Sequence, residues 1–348
     1  MKKIVLLALM ATLSGCFGHR KAQPTEPTAQ TVTAVVQESA PVVKTTETSA
    51  VLPVSSPEKS EKNAPEIKPA TPVQPTPQAY QLPTGAPVPD TPVFKNEPLI
   101  ALEGRTLNPL AALAPKADKQ ISVPWQGEQL KYGLYYSFVK VGTAYIKNRG
   151  LVDVNGRQAY VIQTSAFSAS VIDSVFKVRD INLSWLDAKN LYSLGYSQSL
   201  REGRYQRDEW VLFDYDTNTY RGEVVKKSGT RAFSGALTTR VLDMLTSLYF
   251  VRGQNLENGK DVVFDILNRE EQYPLVVKVI GRETVKTPAG KFKCVIVEPQ
   301  FRGEGIFVSK GKSLKVWLSD DERKLPIKME TEVFIGSVSA ELLEYQHN

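Results

Sequence analysis

From Glu128 onward, apolar and polar residues alternate along the chain. Leu130, Tyr132, Leu134, Tyr136 and Phe138 interleave with Lys131, Gly133, Tyr135, Ser137 and Val139, a period of two that marks a strand with unlike faces. A second run, 141–153, passes through Val154-Asn155-Gly156-Arg157 into a third, 158–164. Asn-Gly between such runs predicts a tight hairpin, because both residues tolerate positive φ. The same texture predicts strands over 175–186, 191–200, 205–215, 219–226, 260–268, 272–282, 292–299, 313–319, 327–333 and 337–345. One stretch breaks the rhythm. Leu237, Val241, Leu242, Leu245, Leu248 and Tyr249 recur at three- and four-residue steps, which predicts an amphipathic helix over 237–250. The expected fold is all-β: a curved antiparallel sheet or open barrel with one principal helix, about 237–250, preceded by a long disordered linker. A sheet curved around one helix buries both apolar faces and often leaves a concavity that takes a ligand.

The first third of the chain lacks this alternation. Of the 22 prolines in 348 residues, 18 fall between Pro24 and Pro124, among Thr, Ser, Ala, Gln and Val. So few large apolar groups do not offset the entropy of ordering a backbone. Residues 17–119 carry ten basic and ten acidic side chains, so the segment is not a repulsive polyelectrolyte. As a flexible coil, a tether of about 100 residues spans on the order of 55 Å; as polyproline II it reaches about 310 Å. Residues 98–102 and 107–113 are more apolar, and are expected to form a short helix or to dock on the folded part.

The chain opens with Lys2 and Lys3, an apolar core from Ile4 to Leu13, and Leu13-Ser14-Gly15-Cys16. A charged start, a short apolar stretch and small residues at the cleavage point make an export signal. The stretch is too short for a comfortable membrane span. Leu13 to Cys16 resembles the lipobox of bacterial lipoproteins. That resemblance implies cleavage before Cys16, diacylglycerol on its sulfur and an acyl chain such as palmitate on its amino terminus, a stable anchor. Phe17 follows, with no aspartate there; by analogy with lipoprotein sorting, this fits the outer membrane, facing the periplasm. The expected organisation is a signal peptide over 1–15, a tether over 16–122 and a β domain over 123–348.

Without Lys2 and Lys3, 41 basic and 37 acidic side chains remain. This mild bias is spread along the chain and forms no basic stripe of the sort nucleic acid requires. If Cys16 is acylated, Cys294 has no partner within the chain, and its alternating surroundings predict a buried core thiol. His19 and His347 are the only histidines, and neither is placed for a core site, so Ser-His-Asp and Cys-His catalysis lack their base. Gly195-Tyr196-Ser197-Gln198-Ser199 lacks the last glycine of a nucleophile elbow. Gly311-Lys312-Ser313 has Ile306 where a phosphate loop needs glycine. Asp214-Tyr215-Asp216-Thr217-Asn218 begins like a calcium loop, but Thr219 and Val225 stand at its glycine and glutamate positions. A hairpin turn is expected there, and turn carboxylates at Asp320-Asp321-Glu322. Arg179-Asp180 and Arg207-Asp208-Glu209 either cross-link strands or line a cavity. No catalytic residue, metal or cofactor is expected.

Several short motifs occur in order: 127–132 (GEQLKY), 141–144 (VGTA), 287–294 (TPAGKFKC), 316–321 (VWLSDD), 326–327 (PI) and 336–342 (GSVSAEL). Together they resemble the bacterial family of unknown function DUF3108, over roughly 125–347. The resemblance implies an exported β-rich domain and supplies no catalytic residues. Two readings follow. A non-enzymatic envelope lipoprotein binding an apolar, amphipathic or lipid ligand predicts a sizeable pocket lined by aliphatic and aromatic side chains. A structural or assembly factor binding a cell-wall or envelope protein partner predicts a filled core. A carboxylate-dependent hydrolase is a third, weaker alternative.

Overall fold

The computed structural model describes residues 82–116, 123–268, 270–300, 313–332 and 336–347. The signal, Cys16, His19 and the tether up to residue 81 lie outside the described residues, as do Gly311 and Lys312.

Fourteen strands form one antiparallel sheet: β1 (Gln129–Tyr136), β2 (Val139–Val154), β3 (Arg157–Ser168), β4 (Arg179–Asp187), β5 (Ser193–Glu202), β6 (Tyr205–Asp214), β7 (Thr219–Lys226), β8 (Gly229–Ala236), β9 (Asp261–Asn268), β10 (Glu271–Thr287), β11 (Gly290–Gln300), β12 (Leu314–Ser319), β13 (Pro326–Glu332) and β14 (Ser337–Gln346). The order runs from β8 back to β1, then from β14 back to β9. Two meanders are thus joined where the first strand pairs with the last, Leu130 opposite Tyr345. The sheet is not closed. It curls until its edges approach: Arg231 of β8 is ion-paired with Glu270 of the β9–β10 turn, and Tyr220 Oη donates to Glu270 O at 3.3 Å.

The alternation in β1 is realised as expected. Leu130, Tyr132 and Leu134 are fully buried on the inner face. Phe138, the next in that series, is 91% exposed, because Ser137 adopts positive φ and turns the chain into β2. The Asn155-Gly156 turn has φ of 53° and 79°, as the dipeptide predicts. Two elements were not legible. β8 shows an almost wholly exposed face pattern, so its sequence carries no alternation of burial. Helix α1 (Ser170–Phe176) takes the start of the strand expected over 175–186; β4 begins only at Arg179.

The principal helix is shorter than expected. α2 spans Met244–Arg252, not 237–250. Asp243 sets its start, accepting from Leu245 N at 2.8 Å and Thr246 N at 3.0 Å, while Thr246 Oγ1 accepts from Asp243 N. This capping box satisfies donors that would otherwise be orphaned. Leu237, Val241 and Leu242 are buried nonetheless. They lie in an extended lead-in, where Leu242 bridges Ile266 of β9 and Val241 O accepts from Ser193 N of β5.

The C-terminal turn of α2 carries a buried hub. Arg252 forms a two-pronged pair with Glu128 at 2.7 and 2.6 Å, and donates to Arg323 O at 3.0 Å. The Trp125 and Tyr249 rings face its guanidinium at 5.5 and 4.9 Å. Burial opposes the charge on Arg252, but Glu128 outweighs it and holds the guanidinium ionised.

Residues 82–116, expected as tether, are laid against the outer face of the sheet as an arm. The apolar stretches singled out in the sequence do dock. Phe94 and Ile100 pack on Tyr145, Phe167 and Ile181, and Leu110 and Ala111 pack on Trp185, Trp210 and their neighbours. A 3-10 turn, Pro109–Ala112, is capped by Asn108. Polar groups lock the arm. Lys147 is ion-paired with both Asp90 and Glu97, all three side chains being at most 4% exposed. Arg105 donates to Ser199 Oγ at 2.8 Å and to Arg179 O at 2.7 Å. Burial and the nearby Arg201 push its pKa down to about 10. Asn108 Nδ2 reaches Val211 O at 2.7 Å beside Gly195, where a Cβ would stand 3.1 Å from that nitrogen.

Candidate functional site

The inner face of the sheet has two characters. Along β1–β3 and β10–β14 it is aliphatic and aromatic, packed against itself and α2, with Leu130, Tyr132, Ile162, Leu318, Ile327 and Leu342 fully buried. Along β4–β6 it turns polar toward the end of the sheet where α1 lies. Arg207 and Glu209, two apart on β6, form an ion pair. Arg207 donates to Gln198 Oε1 at 3.0 Å and Tyr196 Oη donates to Glu209 Oε1 at 2.6 Å. Asn182 donates to Thr164 Oγ1 at 2.9 Å. Tyr196, Gln198, Tyr205 and Arg207 remain partly exposed while Glu209 and Asn182 are buried, so solvent reaches only part of this surface. It presents guanidinium, carboxylate, amide and phenol groups, which suit a polar or charged ligand group.

Deeper in this region lies a carboxyl pair. Asp180 and Glu202 are both buried, and Asp180 Oδ1 accepts from Arg201 N at 2.7 Å. Burial raises the Glu202 pKa to about 8, with the charge and hydrogen bond of Asp180 adding to it. Glu202 Oε1 has no hydrogen-bond partner.

The two charged clusters of the sequence are divided by the pleat. Arg207 and Glu209 face inward. Asp208 faces the arm, accepting from Thr106 N at 2.8 Å and bound by Arg201 at 2.7 Å. Arg179 pairs with Asp173 of α1 at 2.5 Å, away from Asp180. Cross-linking and lining are therefore both realised, by alternate residues of one run. Sequence reasoning missed Tyr196, Gln198, Asn182 and Glu202. The available signal was polar residues at one parity of β4 and β5, where a buried strand face calls for aliphatics.

The remaining motifs are structural. Ser197 Oγ accepts from Asn108 N at 3.1 Å and Ser199 Oγ donates to Asp208 at 2.6 Å, so both serines hold the arm. Asp214 Oδ1 accepts from Asp216 N and Thr217 N, and Asp216 pairs with Arg157: a hairpin turn, as expected. Asp321 caps the β12–β13 turn, accepting from Ser319 Oγ at 2.7 Å. Burial acts against its charge, yet this bond and Arg323 hold its pKa below the ordinary range. Asp320 pairs with Arg282. Cys294 is a buried free thiol, its pKa pushed up to about 11 by burial. His347 stacks on Tyr345 at the end of β14. Among the described residues, no cluster of three His, Cys, Asp or Glu is arranged to hold a metal ion.

A separate cleft of about 470 Å³ lies between the arm and β1–β2, lined by Asp90, Lys116, Gln129, Lys147, Asn148 and Arg149 among others. Its lining mixes these polar groups with Val93, Pro115, Leu151 and Tyr160, and Lys147 and Asp90 are spent on each other. It is not the aliphatic pocket that a lipid-filled concavity requires.

No curated protein matches the chain. Among solved structures, a β-barrel-like protein of the domain of unknown function DUF1849 from Brucella abortus is similar at 10% identity and TM-score 0.44, covering 65% of this chain and all of that one. A hypothetical protein from Chlamydia trachomatis is similar at 11% identity and TM-score 0.29, over 63% of this chain and 87% of that one. Similarity at this level says nothing of activity. The model of the family described as "Protein of unknown function (DUF3108)" matches residues 131–343, which hold all of the sheet but the first two residues of β1 and the last three of β14; the chain belongs to the DUF3108 family.

Proposed function

We propose that this protein is a non-enzymatic cell-envelope lipoprotein, held in a membrane through acylated Cys16, whose β domain binds an amphipathic ligand. One observation carries the reading: the inner face sets a partly exposed lining of Tyr196, Gln198 and Arg207, the last paired with buried Glu209, beside the apolar core. A ligand with a polar head and an apolar body matches that division, the head meeting Arg207 and Gln198. The export signal, the lipobox-like Leu13 to Cys16 and Phe17 support an envelope address, with the outer membrane favoured by the residue after the cysteine.

The test is mass spectrometry of lipids retained by the full chain purified from a native host. One lipid per chain is expected, lost in Arg207→Ala while the fold is kept. An empty chain that also fails to take up an apolar fluorescent probe overturns the binding reading. A second reading, an assembly factor for an envelope protein partner, draws support from β8. This edge strand is unpaired on one side and largely exposed, and exposed edges accept an added strand.

A further inference from the structure

Three elements meet at the end of the sheet where the polar lining opens. Phe138 and Val139 sit at the β1–β2 turn. α1 starts beside it, with Ala169 N donating to Val141 O at 2.9 Å. The β5–β6 turn touches α1: Gly203 N donates to Lys177 O at 2.7 Å, and a Cβ on Gly203 would stand 3.1 Å from the Phe176 ring. The geometry of α1 sorts its side chains. Ile172 and Phe176 pack on the core. Val171 and Val175, one turn apart on the adjoining flank of the helix, are 77% and 83% exposed, at the same end as Phe138 at 91%.

The charges here are one-sided. In these three elements the exposed charged residues are Lys140, Lys177 and Arg204. Asp173 is taken by Arg179, and Glu202 is buried. The β7–β8 turn brings Lys226 and Lys227 to the same end. Exposed Glu332 and Glu271 also lie at this end, but beside α1 the exposed charges are cations, and four solvated apolar side chains next to Lys140, Lys177 and Arg204 fit an interface that is apolar within and anionic at its surface. A second copy fits poorly, since a two-fold contact sets the same patch against itself and brings like charges together.

We propose that this end of the domain docks on an anionic phospholipid bilayer. Phe138, Val139, Val171 and Val175 enter the headgroup boundary, and Lys140, Lys177 and Arg204 meet lipid phosphates. The contact needs neither the inner lining nor an acyl chain on Cys16, so it stands or falls apart from ligand binding.

The test uses the full chain with Cys16→Ser and an environment-sensitive fluorophore on Ser174→Cys in α1. Buried Cys294 stays unlabelled. Phosphatidylglycerol vesicles should shift the emission to the blue, and phosphatidylcholine vesicles should not. Each cation changed to Gln should weaken binding roughly fivefold, as expected for a charge near an anionic surface. Phe138→Asp with Val175→Asp should abolish the shift with an unchanged circular dichroism spectrum. A probe on Thr217→Cys, at the opposite end of β6, should stay unshifted. An unshifted Ser174 probe, an equal shift on neutral vesicles, or an Asp pair without effect would each overturn the proposal. So would burial of the probe by self-association without vesicles, which would identify a second copy as the occupant.

Discussion

The two halves of the inner sheet surface are built from the same strand geometry and do opposite things. On β1–β3 and β10–β14 the inward face is dominated by apolar side chains, with Leu130, Tyr132, Ile162, Leu318, Ile327 and Leu342 sealed. On β4–β6, inward positions carry Arg207, Glu209, Gln198 and Asn182, and water still reaches part of them. The first half supplies stability, since each buried aliphatic contributes by removal of its area from water. The second half contributes little net stability, because a partly buried ion pair roughly offsets its own desolvation. A surface that costs much to desolvate and returns little to folding is a surface shaped for something else. That difference is the physical basis for placing the ligand head there.

The sharpest way to break the contrast is at the hub of the apolar half. Arg252→Met leaves Glu128 buried and unpaired, and should destabilise by about 3–5 kcal/mol in chemical denaturation. Leu342→Ala, in the same core, should cost about 2–5 kcal/mol through lost transfer energy and a cavity. In the polar half, Glu202 gives a pH signature. Its pKa in the folded state, raised to about 8, exceeds its unfolded value near 4.3. The folded state therefore binds the extra proton, and stability falls as pH rises between those two values. Glu202→Gln should flatten that decline, on the order of 3–4 kcal/mol between pH 5 and pH 8, when melts are compared across pH. The smallest effect is expected for Arg207→Leu with Glu209→Leu together: within about 1 kcal/mol of the parent. That pair should nonetheless lose the retained ligand. A large stability loss there would erase the distinction between the halves.

The sequence disclosed the apolar half better than the polar one. Leu130, Tyr132 and Leu134 announce β1 by parity, and the Asn155-Gly156 turn announces β2–β3. Phe138 extends the same parity and is not core, because a positive-φ serine ends the strand before it. The start of α2 depended on Asp243, whose cap overrode the apolar spacing from Leu237 to Leu242. The docking of residues 98–102 and 107–113 was legible from their apolar content. The anchors were not. Asp90, Glu97, Arg105 and Asn108 find partners 50 or more residues away, and local pattern says nothing of such pairs. The inward facing of Arg207 and Glu209 against the outward facing of Asp208 likewise follows from which side the arm covers.

The pairing of β1 with β14 bears on how the protein comes into being. All the other ladders of the sheet join neighbours in sequence. Only this seam spans the domain, Lys131 meeting Glu344 across 213 residues. Closing so long a loop costs at most roughly 3.5 kcal/mol more than closing a four-residue hairpin. A chain that folds as it emerges N-terminus first can therefore zip each meander as it appears. It has no means of uniting them until β14 arrives. Until then, both faces of the unfinished seam are open strand edges, the state in which the chain is most in need of a chaperone.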